Sequence, residues 1–152
     1  MYLPKSYPAY VSAGQVIADS LKEVGITCNI TIVEWAAWLS DVYNGRNYDL
    51  TVVGHTGRLD PYVLLARYQS DSSENYFNYS NEEVDQLLAD YKSETDEDKR
   101  TEIVQRVQEI LAQDVPAYYI QDPTIYVTDS AVTGFQLYPI DIYELKDISL
   151  GQ

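Results

Sequence analysis

This chain carries almost nothing with which to run sulfur or imidazole chemistry: one cysteine, Cys28, and one histidine, His55, in 152 residues. A lone cysteine excludes a disulfide framework and a multi-cysteine zinc site. A lone histidine leaves no paired-histidine spacing for a catalytic metal. Basic residues are scarce, ten Lys and Arg against 24 Asp and Glu, for a net charge of −14. Phosphate binding needs a basic footprint, so nucleic acid is excluded as a partner, and an anionic membrane surface is disfavoured on the same ground. No apolar run is long enough to span a membrane, and no signal peptide is visible; a leader removed ahead of Met1 is compatible with the rest. Neither G-x-G-x-x-G nor a Walker A loop occurs, and there is no G-x-S-x-G elbow, so no cofactor is implied.

What is present is globular composition, 45% hydrophobic and 22% charged, in a chain long enough to bury a core without disulfides or metals. Fifteen tyrosines stand against two phenylalanines and two tryptophans. Tyrosine brings apolar bulk with a polar tip and suits core edges and wet ligand-facing surfaces.

Periodicity gives the organisation. Tyr10, Ala13, Ile17, Leu21 and Val24 fall on one helical face, and Gly25 ends that helix. ITCNITIV (26–33) alternates and is β-branched, which predicts a strand. EWAAWLSDVYNG (34–45) predicts a short helix closed by Asn44-Gly45, and YDLTVVGH (48–55) a second strand whose Leu50-Thr51-Val52-Val53 run reads as buried on both faces. DPYVLLARY (60–68) opens with Asp60 as N-cap and Pro61 at the first helical position. SNEEVDQLLADYKS predicts a helix with a Ser80–Glu83 capping box that buries Val84, Leu87, Leu88 and Tyr91. A longer helix is expected from Thr95 to Gln113, with Ile103, Val104, Val107, Ile110 and Leu111 as its stripe and Pro116 beyond its end. AYYIQDP, TIYVTDS and GFQLYPIDIY then read as short β segments. The order implies a single α/β domain over 1–152 with a mixed sheet.

The chemistry concentrates in GHTGRLDP, residues 54–61. It follows the expected strand 48–54, and ligands of open α/β sheets bind beyond the carboxyl ends of strands. Gly54 and Gly57 read as turn residues, and Arg58 offers a planar fork for a carboxylate or phosphate. The alternative is an Arg58 paired with Asp60 on the surface. His55 is either a ligand contact or a hydrogen-bonded loop side chain, and Asp60 reads as a cap. Trp35 and Trp38 sit three apart on a helix; one packs inward and the other is a candidate cleft wall. Cys28 reads as an inert core thiol. His55 with Asp60 could recruit a metal, although no ligand spacing supports one.

Taken in order, seven segments resemble the C-terminal lobe of family 5 extracellular solute-binding proteins, the dipeptide, oligopeptide and nickel receptors of ABC importers. They are LKEVGI (21–26), EWAAWLSDVYNGRNYDL (34–50), G-x-x-G-x-x-DP (54–61), NYFNYSNEEVDQLL (75–88), TDEDKR (95–100), EILAQDVPAYYI (109–120) and V-x-G-F (132–135), before a terminal YELKDISL. The resemblance implies a periplasmic-binding-protein-like lobe, a mixed sheet flanked by helices, one of the two lobes of a class II or cluster C binding protein. It implies no enzyme, no cofactor and no resident metal. The implied partners are a peptide or other small-molecule ligand, ABC-importer permease subunits and the N-terminal lobe of the same full-length protein. The implied location is extracytoplasmic, in a periplasm or as a cell-surface lipoprotein.

In peptide receptors of this family the strand after a Tyr-Asp pair runs into Gly-Trp and then an aspartate that receives the peptide ammonium. Here Tyr48-Asp49 and Gly54 match, His55 stands at the tryptophan, and Arg58 falls near the aspartate. Asp60-Pro61, Asn78-Tyr79, Asn81 and Pro116 match landmarks read as structural. The charge reversal at Arg58 favours an anionic ligand group, a carboxylate-bearing metallophore, or a ligand bound elsewhere in the cleft. The candidate ligand contacts are Arg58, His55, Thr56, Gly57, Trp35 and Trp38. The competing readings are a small α/β hydrolase or transferase using His55, and a non-catalytic interaction domain with a Tyr-rich face.

Overall fold

A computed structural model of the chain describes residues 1–121, 129–136, 138 and 144–150. The chain opens with a strand that its composition hides: β1 (Tyr2–Pro4), only three residues and ending in proline. It leads into α1 (Pro8–Glu23), with proline in the first turn, where no helical N–H is needed. Gly25 ends α1 at φ 83°, with Gly25 N–H donating to Lys22 O (3.0 Å) and Ile26 N–H to Leu21 O (2.9 Å). That paired arrangement satisfies the last carbonyls and needs a left-handed residue. Val24, expected on the buried face, is the cap residue and is exposed, because the helix has stopped turning there.

The chain then returns parallel to β1 as β2 (Thr31–Val33), with Tyr2 opposite Thr31, Leu3 opposite Ile32 and Pro4 opposite Val33. The predicted strand 26–33 is thus only its last three residues. The predicted strand 48–55 contracts further, to a single parallel bridge between Thr51 and Tyr2, supported by Tyr2 N–H donating to Leu50 O at 2.9 Å. Val52 is buried, but Leu50 is exposed, so the expected burial on both faces does not hold. Leu3 and Met1, with Val52, form the centre of this first core, flanked by Tyr10, Val11, Ala13 and Ile17 of α1 and by Cys28.

Between these strands lies α2 (Trp35–Trp38), which widens into a π-helical turn at Leu39–Asn44. The second half is helical. Asp60 caps α3 (Pro61–Leu65), accepting from Tyr62 N–H at 2.8 Å, and a 3-10 turn (Ala66–Tyr68) follows. Next comes α4 (Glu82–Ser93), whose cap is Asn81: its Oδ1 accepts from Glu83 N–H (3.0 Å) and Val84 N–H (3.2 Å). The expected Ser80 capping box is displaced by one residue; Ser80 instead meets Ser70 through their hydroxyls. Asp96 caps α5 (Glu97–Asp114) in the same manner. Val84, Leu88, Val107, Ile110, Leu111, Leu65 and Tyr68 close a second core.

Asn75 is buried within this half and holds the preceding loop, its Nδ2 donating to Gln69 O (3.1 Å) and Tyr79 O (2.7 Å). Beyond α5, residues 117–121 form no strand, and Tyr118, Tyr119 and Ile120 are exposed. Most of the β segment expected at 124–130, and residues 139–143 of the last one, lie outside the described residues. What is described there is an antiparallel pair, β3 (Val132–Thr133) with β4 (Ser149–Leu150). The described strands are therefore mixed in sense but form two separate pairs, one parallel and one antiparallel.

Candidate functional site

The loop 54–59 leaves the β1 region beside a chain of aromatic rings. Tyr10 stacks on Tyr7 (centroids 4.9 Å apart), Tyr7 meets Trp35 edge-on (5.4 Å), and Trp35 stacks on Trp38 (4.9 Å). Trp38 meets Tyr76 edge-on at 6.0 Å, Tyr76 stacks on Phe77 at 4.2 Å, and Phe77 stacks on Tyr68 at 4.6 Å. Offset and edge-on pairs of this kind contribute beyond their buried area. Trp38 is the inward tryptophan, buried, with its Nε1–H donating to Thr51 Oγ1 at 2.9 Å. Trp35 is half-buried against it, which leaves it as the candidate wall.

Gly54 and Gly57 do not turn the chain through left-handed backbone; among the described glycines only Gly25 and Gly134 have positive φ. Gly54 has another reason to be glycine. A Cβ there would stand 2.4 Å from the Tyr10 hydroxyl, so the ring chain passes where a side chain would be. Asp60 is spent on its cap and on the Tyr91 hydroxyl, which donates to it at 3.0 Å. The α3 N-terminus is therefore already met by a carboxylate. Arg58 is exposed and, among the described residues, has no ion pair or side-chain hydrogen bond, Asp60 included. Thr56 and Gly57 are exposed beside it.

His55 is engaged on both ring nitrogens. Arg67 Nη1–H donates to Nδ1, and Nε2 lies 2.9 Å from the Tyr76 hydroxyl. Arginine has only donors, so Nδ1 must accept, and the neutral ring carries its proton on Nε2, which donates to Tyr76. His55 is exposed as a residue, but one side of its ring is packed against Tyr76 and Phe77 and so loses water there. That burial, and then the Arg67 charge, pull its pKa down to about 4. Burial likewise pushes the Tyr76 hydroxyl above the ordinary tyrosine range. Sequence reasoning found His55 but missed Arg67, Tyr76 and Glu74, which sit 12 to 21 residues away and have no motif. No hydrogen bond joins His55 to Cys28 or to Asp60 among the described residues. The described residues contain no group of three or more His, Cys, Asp and Glu placed to hold a metal ion.

A depression of about 570 Å3 lies between α4 and α5, lined by Leu87, Asp90, Lys99 and Arg106 among others, and a smaller one of about 260 Å3 lies beside Asp60 and Arg100. Neither contains a residue of 54–59, and both are shallow surface features. The ring chain and the loop 54–59 lie outside both depressions.

The fold is that of a periplasmic peptide-binding protein lobe. It aligns on the oligopeptide-binding protein AppA of Bacillus subtilis, solved with a nonapeptide, with a TM-score of 0.73 at 22% identity over 99% of this chain and 31% of that one. It also aligns on the substrate-binding protein CtaP of Listeria monocytogenes, with a TM-score of 0.67 at 26% identity over 74% of this chain and 24% of that one. In sequence the chain is 32% identical over 141 residues to the dipeptide-binding protein of Pseudomonas aeruginosa strain PAO1, covering 90% of this chain and 26% of the relative. It is 27% identical over 143 residues to di/tripeptide-binding protein 1 of Pseudomonas aeruginosa strain UCBPP-PA14, covering 91% and 26%. No protein-family model matches. The chain spans about a quarter of the length of these relatives. The resemblance to family 5 solute-binding proteins thus holds across nine-tenths of the chain, and the relatives are named as binding proteins, not enzymes.

Proposed function

We propose that this chain is one lobe, the C-terminal one, of an extracytoplasmic solute-binding protein that captures a peptide or other small acidic solute and delivers it to the permease of an ABC importer. The observation that carries this is the match to a dipeptide-binding protein over 90% of the chain. Support comes from the loop 54–59, which packs Gly54 against Tyr10 and His55 against Tyr76 of the ring chain and carries an exposed Arg58 that has no ion pair among the described residues. A non-enzymatic role agrees with His55, which is exposed but has both ring nitrogens engaged by Arg67 and Tyr76, leaving no free lone pair for a substrate. Closure of the lobe on its counterpart would bring ligand contacts from both sides, the usual hinge logic of two-lobe receptors.

In the full-length protein, Arg58→Ala should weaken binding of an acidic dipeptide roughly tenfold, the loss expected for one charge-assisted contact of about 1.5 kcal/mol or more. The melting temperature should not move, because Arg58 has no partner to lose among the described residues. Unchanged affinity, measured by calorimetry, would remove Arg58 from the site.

A further inference from the structure

Arg67 is the most conspicuous unmatched charge in the described structure. It stands on the 3-10 turn after α3 with a side chain only 14% exposed, yet its one ion-pair partner, Glu74, is 3.9 Å away and 57% exposed. Its Nε is buried without a hydrogen-bond partner, as is Arg100 Nε, but Arg100 has a closer carboxylate, Glu97 at 3.3 Å. Arg106, far more open to water, has Glu83 at 2.8 Å and Glu109 at 3.3 Å. In a chain of net charge −14, the arginine that is least hydrated is thus more weakly paired than an exposed one. Burying a cation is costly unless a close, well-oriented anion compensates it. His55 does not compensate it; as a neutral acceptor it only fixes the guanidinium in place and adds no second positive charge. The same imidazole donates to Tyr76, whose own hydroxyl proton has no acceptor among the described residues.

We infer that Arg67 is a carboxylate-binding residue of the receptor, with Glu74 as an internal carboxylate that a ligand carboxylate displaces. The inference deepens the receptor reading and rests on it. Glu74 suits the role because it is exposed, loosely placed at the limit of ion-pair contact, and able to swing into water. The groups that face this site are His55, Tyr76, Tyr68 and Glu74. Only Glu74 is negatively charged at neutral pH, so a carboxylate arriving there meets one competitor. A ligand oxygen beside Tyr76 would accept the free hydroxyl proton, giving the site one ionic and one neutral contact.

The test uses the histidine ring as a reporter. In the full-length protein, the ring signal that disappears in His55→Asn is followed by nuclear magnetic resonance during titration with acetate, dialanine and dialanine amide. Acetate and dialanine should shift it saturably, and the amide much less. Glu74→Gln should tighten acetate and dialanine several-fold while shifting thermal unfolding only slightly, since Glu74 is itself exposed and stands at the limit of ion-pair contact. Arg67→Gln should abolish the response. An Arg67 that merely props up His55 predicts no gain in Glu74→Gln, and that result overturns the inference even if Arg67→Gln fails to fold. A wild-type signal indifferent to acetate, or a response that survives Arg67→Gln, overturns it as well. A protein that answers acetate through Glu74 but takes up no solute would sink the receptor reading while leaving the carboxylate site standing.

Discussion

The two halves of this chain solve the burial problem differently. From α3 to α5, helices satisfy their own backbone hydrogen bonds, so three of them with Asn75 locking the intervening loop close a core locally. From β1 to Thr51, the polar backbone needs a neighbouring strand, and the described partners amount to one three-residue ladder and one bridge. Apolar surface stays exposed in both halves. Val16, Val24, Ile26, Ile32 and Leu50 are exposed around the first core, whereas in the second half exposure of large apolar residues falls mostly outside the α4–α5 core, at Leu59, Val63, Val115, Tyr118, Tyr119 and Ile120. Helical segments carry their fold within themselves, whereas strands carry only half of theirs.

That contrast can be tested at its strongest point by Leu88→Ala, which empties a fully buried position in the helical core. The expected cost is about 2–5 kcal/mol. The aromatic chain Trp38–Tyr76–Phe77–Tyr68 ties the two halves together. Helical circular dichroism and tryptophan fluorescence should therefore lose their signals in one transition, shifted downward together. Separate transitions would show that the halves fold independently and break the link.

A smaller effect is expected on the other side. A Cβ at Gly14 would stand 2.5 and 2.8 Å from the Leu3 methyls, and Leu3 is fully buried with no room to withdraw. Gly14→Ala gains roughly 1 kcal/mol of helix propensity and suffers overpacking of about 1–3 kcal/mol. Net destabilisation of about 1 kcal/mol should appear in chemical denaturation; a stabilised variant would mean the sheet core is looser than its burial indicates.

The smallest effect concerns pH. His55 has a folded pKa of about 4 against an ordinary 6.5, so the unfolded chain binds the extra proton first. Stability from this group is intact above about pH 6.5, erodes as pH falls, and is fully lost below about pH 4. Because His55 keeps some exposure, the slope is modest. His55→Asn should flatten this part of the pH–stability curve relative to wild type, and an identical slope in both proteins would refute the assignment.

Legibility in the sequence followed the same physical line. The stripes of α1, α4 and α5 and the Gly25 stop of α1 are legible because a helix writes its period into one stretch of chain; the α4 cap falls one residue on, at Asn81 instead of Ser80, and the Asp96 cap of α5 is added by the structure. The strands were overdrawn, since β-branched alternation signals compatibility with a sheet but not the presence of a partner. β1 was missed because three residues ending in proline leave no alternation to detect. At the candidate site, the loop and His55 were visible, and the inward and outward tryptophans resolved as Trp38 and Trp35. Arg67, Tyr76 and Glu74 left no trace, because their meeting depends on how α3 packs, not on spacing. The glycines of the loop were read for turning freedom, while Gly54 yields space to a tyrosine ring.

Thr51 has one further consequence. Its single hydroxyl accepts from the Trp38 indole and donates to Tyr2 O at 2.7 Å. A strand held by a full ladder has its alignment checked at every rung, but the 48–53 segment has only one. A slip of one residue would put Leu50 or Val52 where Thr51 stands and turn each side chain to the wrong face. Among those neighbours none has a hydroxyl that can both give and take. One oxygen atom thus serves as the alignment key for a segment too sparsely paired to align itself.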